Sequence, residues 1–443
     1  MSKSLLFECD PVDQPAATDP VERETWCALG IRVDRRIVST IWDKSLQSER
    51  TRLYLPAFPI AEWLVQNWWS LLNELCCSET VPKSAIGANQ VKWIRRHCLR
   101  SADSALMLPA LYLFHDGQSL RAEWYSDPPR SIPNMPGEFI ADGADELDTN
   151  ATQESLTQFI HSVLGRVTHV DDERVRELST QWRAIQGADA EEQQFCTLAG
   201  RMGLDPYDRS EMTEELACFL EQTLTSPEDA LVRDLTELAQ PDSIQQQWQW
   251  LTGVSRDLQL GPIPFTASLD IPSRALAPPQ FGYQLARNVR EAANIRPGQR
   301  LVSVEEVATS VIGEPFRVHE RNHIPGQGIR AIVGRSSDGD VVTVGPQPLH
   351  PNSQRFLTAR SVYHALLTSQ NSQRLVTTAH SWDQKAARAF AAELIAPQQA
   401  LATRIRTSAA DEQTIEELSR EFNVSTMVIE WQLVNAGIPL SVE

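Results

Sequence analysis

Two stretches near the end of the chain decide how it folds. They are Arg355-Phe356-Leu357-Thr358-Ala359-Arg360-Ser361-Val362-Tyr363-His364-Ala365-Leu366-Leu367 and Trp382-Asp383-Gln384-Lys385-Ala386-Ala387-Arg388-Ala389-Phe390-Ala391-Ala392-Glu393-Leu394-Ile395-Ala396-Pro397. Each repeats apolar residues three and four apart, the spacing of a helix with one face in a core. Arg360 and His364 are four residues apart and share a face of the first helix.

Outward from these, Gly282–Arg290 reads as a helix and Val304–Ile312 as a short one. Ile329–Gly334 and Val341–Gly345 read as two strands around Ser337-Asp338-Gly339-Asp340. Downstream, Thr414–Phe422 places Ile415, Leu418 and Phe422 on one helical face. Asn423 then suits a left-handed turn, Ser425 a cap, and Gly437 stops a second helix running from Thr426 to Asn435.

This succession is similar to the ImmA/IrrE metallopeptidase family. There a strand pair leads into an R-F-x-x-A-H-E-x-x-H helix, and the next helix, E-x-x-A-N-x-F-A-x-x-L-L-x-P, brings the third zinc ligand. The resemblance runs from about Phe281 to the end and is most specific at Phe390–Pro397. It implies a zincin-like α+β domain closed by a helix-turn-helix-like segment, zinc as cofactor, and peptide hydrolysis.

The chemistry of the motif contradicts the last two implications. In H-E-x-x-H two imidazoles reach one zinc from a single helical face, and the glutamate takes a proton from the metal-bound water. Here Arg360 replaces the first histidine, and a permanent cation repels zinc. Ser361 replaces the general base and has no pKa near working pH. Gln384 stands at the third-ligand position, where a neutral amide is a poor substitute for a carboxylate. Only His364 remains. We therefore expect no intact catalytic set, no bound metal and no cofactor.

Two other arrangements are open to these residues. His380 and Asp383 could join His364 in a relocated zinc site, against a plainer role for Asp383 as a helix N-cap and for His380 as a capping or solvent-facing side chain. Arg360 and His364 could hold a phosphate or carboxylate in the old cleft, against an arginine simply paired with a nearby acid. The plainer role is expected in each case.

Further toward the start, Trp26–Val33 and Ile37–Trp42 read as a hairpin around Asp34-Arg35-Arg36, and residues 59–72 as a helix. Leu111–Phe114 and Leu120–Trp124 form another hairpin turning at Asp116-Gly117. Trp63, Trp68 and Trp69 could stack on a ligand; core packing is the expected role. Pro128, Pro129, Pro133 and Pro136 mark a loop, and prolines at 262–264 and 278–279 a linker. Helical periodicity fills segments near 152–165, 171–187, 190–203, 211–224 and 241–258.

Composition bounds the rest. With 443 residues, 42% hydrophobic and 22% charged, the chain is globular and too long for one core. No apolar run reaches membrane-spanning length, and acidic Glu8 and Asp10 interrupt any signal-like start, so a cytoplasmic location is expected. The seven cysteines, two of them adjacent, form no C-x-x-C pair and read as reduced thiols; a metal role for Cys98 beside His97 is the remote alternative. Residues 281–443 hold 16 Lys+Arg and 16 Asp+Glu, while the remainder, with 24 and 42, carries the whole net charge of −18. So acidic a surface is a poor match for nucleic acid. The closing helix, with Glu430 and Trp431 but no Lys or Arg, lacks the side chains of a base reader.

The expected architecture is an α+β multidomain chain: a mixed α/β domain over 1–145, an all-helical middle domain over 150–262, and an ImmA/IrrE-like domain over 280–443. The expected function is regulation or protein binding by a degenerate peptidase, the partner being a helix-turn-helix repressor or a toxin of stress-response, phage or mobile-element biology. An active but divergent zinc endopeptidase and a DNA-binding regulator are the alternatives.

Overall fold

A computed structural model describes residues 3–12, 17–82, 87–128, 136–208, 210–224, 229–239, 241–259, 269–320, 327–336, 338, 340–345, 350–367, 373–405 and 409–441. Ser337, Gly339, Pro129, Pro133 and the prolines at 262–264 lie outside these. The chain forms two compact units, Met1–Leu224 and Thr225–Glu443. The division falls inside the segment expected as a separate helical middle domain. Its first helices, Thr149–Arg166 and Glu173–Gly187, bury Leu156, Phe159, Ile160, Leu178 and Trp182 in one cluster with Leu5, Leu29 and Ile31. Helical periodicity marks the apolar face but not the surface that face covers, and here it covers the N-terminal strands.

In the first unit Trp26–Val33 is the central strand, with Leu5–Pro11 on one edge and Arg36–Ile37 and Leu53–Pro56 on the other. Asp34 takes the left-handed turn at φ 52°. The strand Ile41–Asp43 leaves this sheet to pair with Ser48–Arg50 and Gly137–Phe139, so the expected hairpin is only two residues deep. The hairpin Ala110–His115 with Leu120–Tyr125 turns through Gly117 at φ 96°, as its sequence demands. The helix expected over 59–72 is two helices, Phe58–Gln66 and Trp68–Asn73, broken at Asn67. Trp63 and Trp68 are core residues, 6% and 5% exposed, and Trp68 meets Trp182 edge-on. His97 bonds the Leu113 carbonyl and the Glu74 carboxylate. None of the seven cysteines is in a disulfide. Among the described residues no helix is long and apolar enough to cross a membrane.

The second unit is a mixed sheet covered by helices. Ile329–Ser336 pairs antiparallel with Val341–Gly345, which pairs in parallel with Phe316–Glu320. On its other side Ile329–Ser336 carries Arg374–Thr377 and, at its far end, Leu258–Gln259. Against this sheet lies the helix Pro351–Leu367, buried without interruption from Thr358 to Leu366. A helix apolar on one side only would leave a polar face in water; this one is enclosed, so Arg360, Ser361 and His364 go inside with it.

The helix Trp382–Ile395 packs on Pro278–Ala292 so closely that a Cβ on Gly282 would come within 2.3 Å of the Ala386 carbonyl. Beyond it, the buried Glu393 carboxylate accepts from Arg287, the Gln398 amide and Gln432, while Gln432 also donates to the Ala396 carbonyl. Those bonds hold the closing helix Thr426–Asn435 onto the scaffold, with Ile429 and Leu433 buried beneath it.

Candidate functional site

The positions singled out by the sequence converge on the short strand Arg374–Thr377. Among the described residues this strand pairs only with Ile329–Ser336. Its Leu375 and Thr377 peptides face away from that partner, since in an antiparallel pair alternate residues turn their N–H and C=O to opposite sides. Unpaired buried backbone groups are costly, so these four need partners from elsewhere.

Side chains supply all four. Asp234 accepts the Leu375 N–H at 2.9 Å, and Gln384 Nε2 donates to the Leu375 carbonyl at 2.7 Å. Gln384 Oε1 accepts the Thr377 N–H at 3.1 Å, and Arg360 Nη2 donates to the Thr377 carbonyl at 2.6 Å. Arg360 Nη2 also donates to Gln384 Oε1 at 2.7 Å. The Gln384 carboxamide thus stands in for the peptide of a neighbouring strand, and Arg360 completes the row. Two positions expected to hold metal ligands are bonded to each other and to the strand edge.

Ser361 donates back to the Leu357 carbonyl of its own helix at 3.0 Å, a common sink for a helical serine hydroxyl. His364 is fully buried, with the Tyr363 ring edge-on at 5.2 Å. Burial first, and then the nearby Arg374 cation, hold the imidazole well below its ordinary pKa, so it is neutral at pH 7.

Asp383 is neither a helix cap nor a free ligand. Ser381 occupies the N-cap position. The Asp383 carboxylate is instead clamped by Arg274 at 2.6 Å and Arg374 at 3.0 Å, and accepts the Tyr363 hydroxyl at 3.1 Å. Burial pushes its pKa up, but the Arg374 and Arg274 cations outweigh that and leave it below the usual carboxylate range. His380 is half-buried just before the cap. Among the described residues no three His, Cys, Asp or Glu side chains come together as a metal-holding group.

The fit to zinc is therefore poor on the donor set itself. A guanidinium occupies one ligand position, an amide already bonded on both atoms occupies another, and the Asp383 carboxylate serves two arginines. The expected ordinary pairing of Arg360 with an acid is also absent: among the described residues it makes no ion pair, and its acceptors are a carbonyl and an amide oxygen.

Sequence reading did not find Asp234, Arg374, Arg274 or Thr377. Asp234 belongs to the helix Asp229–Thr236, a segment passed over, and its distance of 140 residues from Arg374 hides the pair. Arg374 opens a four-residue strand with no alternation to signal it.

No curated protein sequence matches the chain. Residues 326–433 match the family model described as an IrrE N-terminal-like domain, so the segment that carries Arg360, Ser361, His364 and Gln384 is an ImmA/IrrE-type, metallopeptidase-like domain.

Proposed function

We propose that the chain is a catalytically degenerate ImmA/IrrE-type pseudo-metallopeptidase that works as a regulatory, protein-binding factor. The reading is carried by the Arg360–Gln384 hydrogen bond at 2.7 Å. Residues that merely lost a metal would be left as loose polar ends in a cleft; these two have been taken into the hydrogen-bonding of the fold. Ser361, bonded to Leu357, supplies no base. A zincin-like scaffold kept without its chemistry retains what a peptidase uses to recognise polypeptide, and a repressor of the helix-turn-helix type or a toxin is the partner class that the family resemblance favours.

The alternative of DNA reading is disfavoured by the closing helix. Its exposed face presents Met427, Trp431 and Val434, Glu430 is half-buried, and the helix has no basic side chain. The alternative of a relocated zinc site is disfavoured by the clamp on Asp383.

The test is elemental analysis of the purified full chain together with a peptide-hydrolysis assay. Zinc well below one ion per chain and no chelator-sensitive cleavage are expected. Stoichiometric zinc that disappears in His364→Ala, accompanied by cleavage, would falsify the reading.

A further inference from the structure

We propose that Cys9 and Cys27 form a reversible thiol-oxidation site, in which a hydroperoxide converts the pair into a disulfide. The site lies in the first unit and borrows nothing from the zinc-motif reading, so either can fail alone.

The strands Leu5–Pro11 and Trp26–Val33 pair antiparallel, with Cys9 opposite Leu29 and Pro11 opposite Cys27. Cys27 and Leu29 are two residues apart and turn to the same side of their strand. Cys9 and Cys27 are therefore diagonal neighbours on one face of the sheet. Their sulfurs are 3.2 Å apart. A disulfide needs them about 2 Å apart, roughly one ångström closer, which side-chain rotation supplies without moving either strand.

Two arginines flank the pair. Arg166 donates to the Trp26 carbonyl at 3.0 Å, and Arg52 to the Glu8 carbonyl at 2.9 Å, the peptides that lead into Cys27 and Cys9. The hydrogen bond from Cys9, and then the Arg166 and Arg52 cations, outweigh burial and hold the Cys27 thiol below its ordinary pKa. The same bond pushes Cys9 up, so Cys27 is the sulfur that ionises first. Cys27 is fully buried and Cys9 half-buried. A small oxidant can pass Cys9 to reach its partner where a bulky disulfide cannot, which selects a hydroperoxide as the co-reactant.

In the first step the Cys27 thiolate attacks one peroxide oxygen and the O–O bond breaks. The departing hydroxide takes the proton that Cys27 released and leaves as water. The Cys9 sulfur then attacks the sulfenic sulfur of Cys27, forming the S–S bond and expelling hydroxide, which takes the Cys9 proton as a second water. The pair loses two electrons and one hydrogen peroxide becomes two waters.

The experiment treats the reduced full-length protein with hydrogen peroxide until the exposed Cys218 is oxidised, blocks the remaining thiols and maps the cysteine peptides by mass spectrometry. A Cys9–Cys27 cross-linked pair, two hydrogens lighter than the separate peptides and cleaved by dithiothreitol, is expected. Cys9→Ser keeps a hydroxyl donor beside Cys27 but no second thiol, so the cross-link is lost and Cys27 retains oxygen. Should that variant fail to fold, the wild-type map alone decides. The proposal is overturned if Cys9 and Cys27 stay reduced, take up oxygen without joining, or join other cysteines instead of each other.

Discussion

Asp234 grips Arg374 with both carboxylate oxygens, at 2.8 and 3.1 Å, and the two side chains are 1% and 7% exposed. The same carboxylate accepts the Leu375 N–H, so one side chain neutralises a buried cation and finishes a strand edge. It lies well ahead of residues 326–433, which means the folded unit draws on sequence outside the matched domain. Removing Asp234 leaves Arg374 with Asp383 as its one carboxylate among the described residues and strips the Leu375 N–H of its acceptor, a loss of up to about 3–5 kcal/mol. Asp234→Ala is expected to lower the unfolding free energy of the second unit by that amount in urea titrations. A change below about 1 kcal/mol would mean that the pair is replaced by water.

Glu237, one turn beyond Asp234, has its carboxyl pKa pushed up to about 7 by burial first and then by repulsion from Asp234. A carboxyl raised above its ordinary value of about 4.3 stabilises the fold fully below that pH, and the contribution fades as pH rises through about 7. His364 acts in the opposite sense. Its depressed pKa gives stability that is present above about 6.5 and is lost as pH falls. Glu237→Gln removes only the first effect, so it should gain stability over the wild type between about pH 5 and 8. Parallel stability curves across that window would rule the assignment out.

Gln384 offers a test of the claim that a ligand position has become structural. Gln384→Leu leaves the Leu375 carbonyl and the Thr377 N–H without partners, at about 1–3 kcal/mol each. Gln384→Glu still accepts from Thr377 and Arg360 but cannot donate to Leu375, so its loss should fall between wild type and Leu. Equilibrium denaturation of the three proteins gives the order directly, and a Leu variant as stable as the wild type would refute the capping role.

The order in which this site became visible follows the range of the interactions. Periodicity located both helices and the two sheet strands, because each encodes its buried face in neighbouring residues. The departure from the zinc motif was legible for a similar reason: residue type alone says that Arg360 cannot ligate. What replaced it was not legible. The edge of a four-residue strand attracts side chains from positions 234, 360 and 384, and no local pattern announces which carbonyl an arginine will reach. The surface that the helices Thr149–Arg166 and Glu173–Gly187 cover was not legible for the same cause, since an amphipathic helix does not name its partner.

Gly282 and Gly253 separate packing from propensity within one unit. Both lie inside helices, Pro278–Ala292 and Ile244–Ser255, where alanine is intrinsically better by about 0.8–1 kcal/mol. At Gly253 an added Cβ meets nothing within 4 Å, so Gly253→Ala should raise stability by roughly that increment. At Gly282 the same methyl would lie 2.3 Å from the Ala386 carbonyl and 2.8 Å from the Phe390 nitrogen, both backbone atoms that cannot rotate away. The helices must then separate, an overpacking cost of about 1–3 kcal/mol that exceeds the propensity gain. Because Trp382–Ile395 carries Gln384, that separation should also loosen the capped strand. Hydrogen exchange at the Leu375 and Thr377 amides should accelerate in Gly282→Ala and stay unchanged in Gly253→Ala; equal exchange in both variants would show that the helix contact does not position the site.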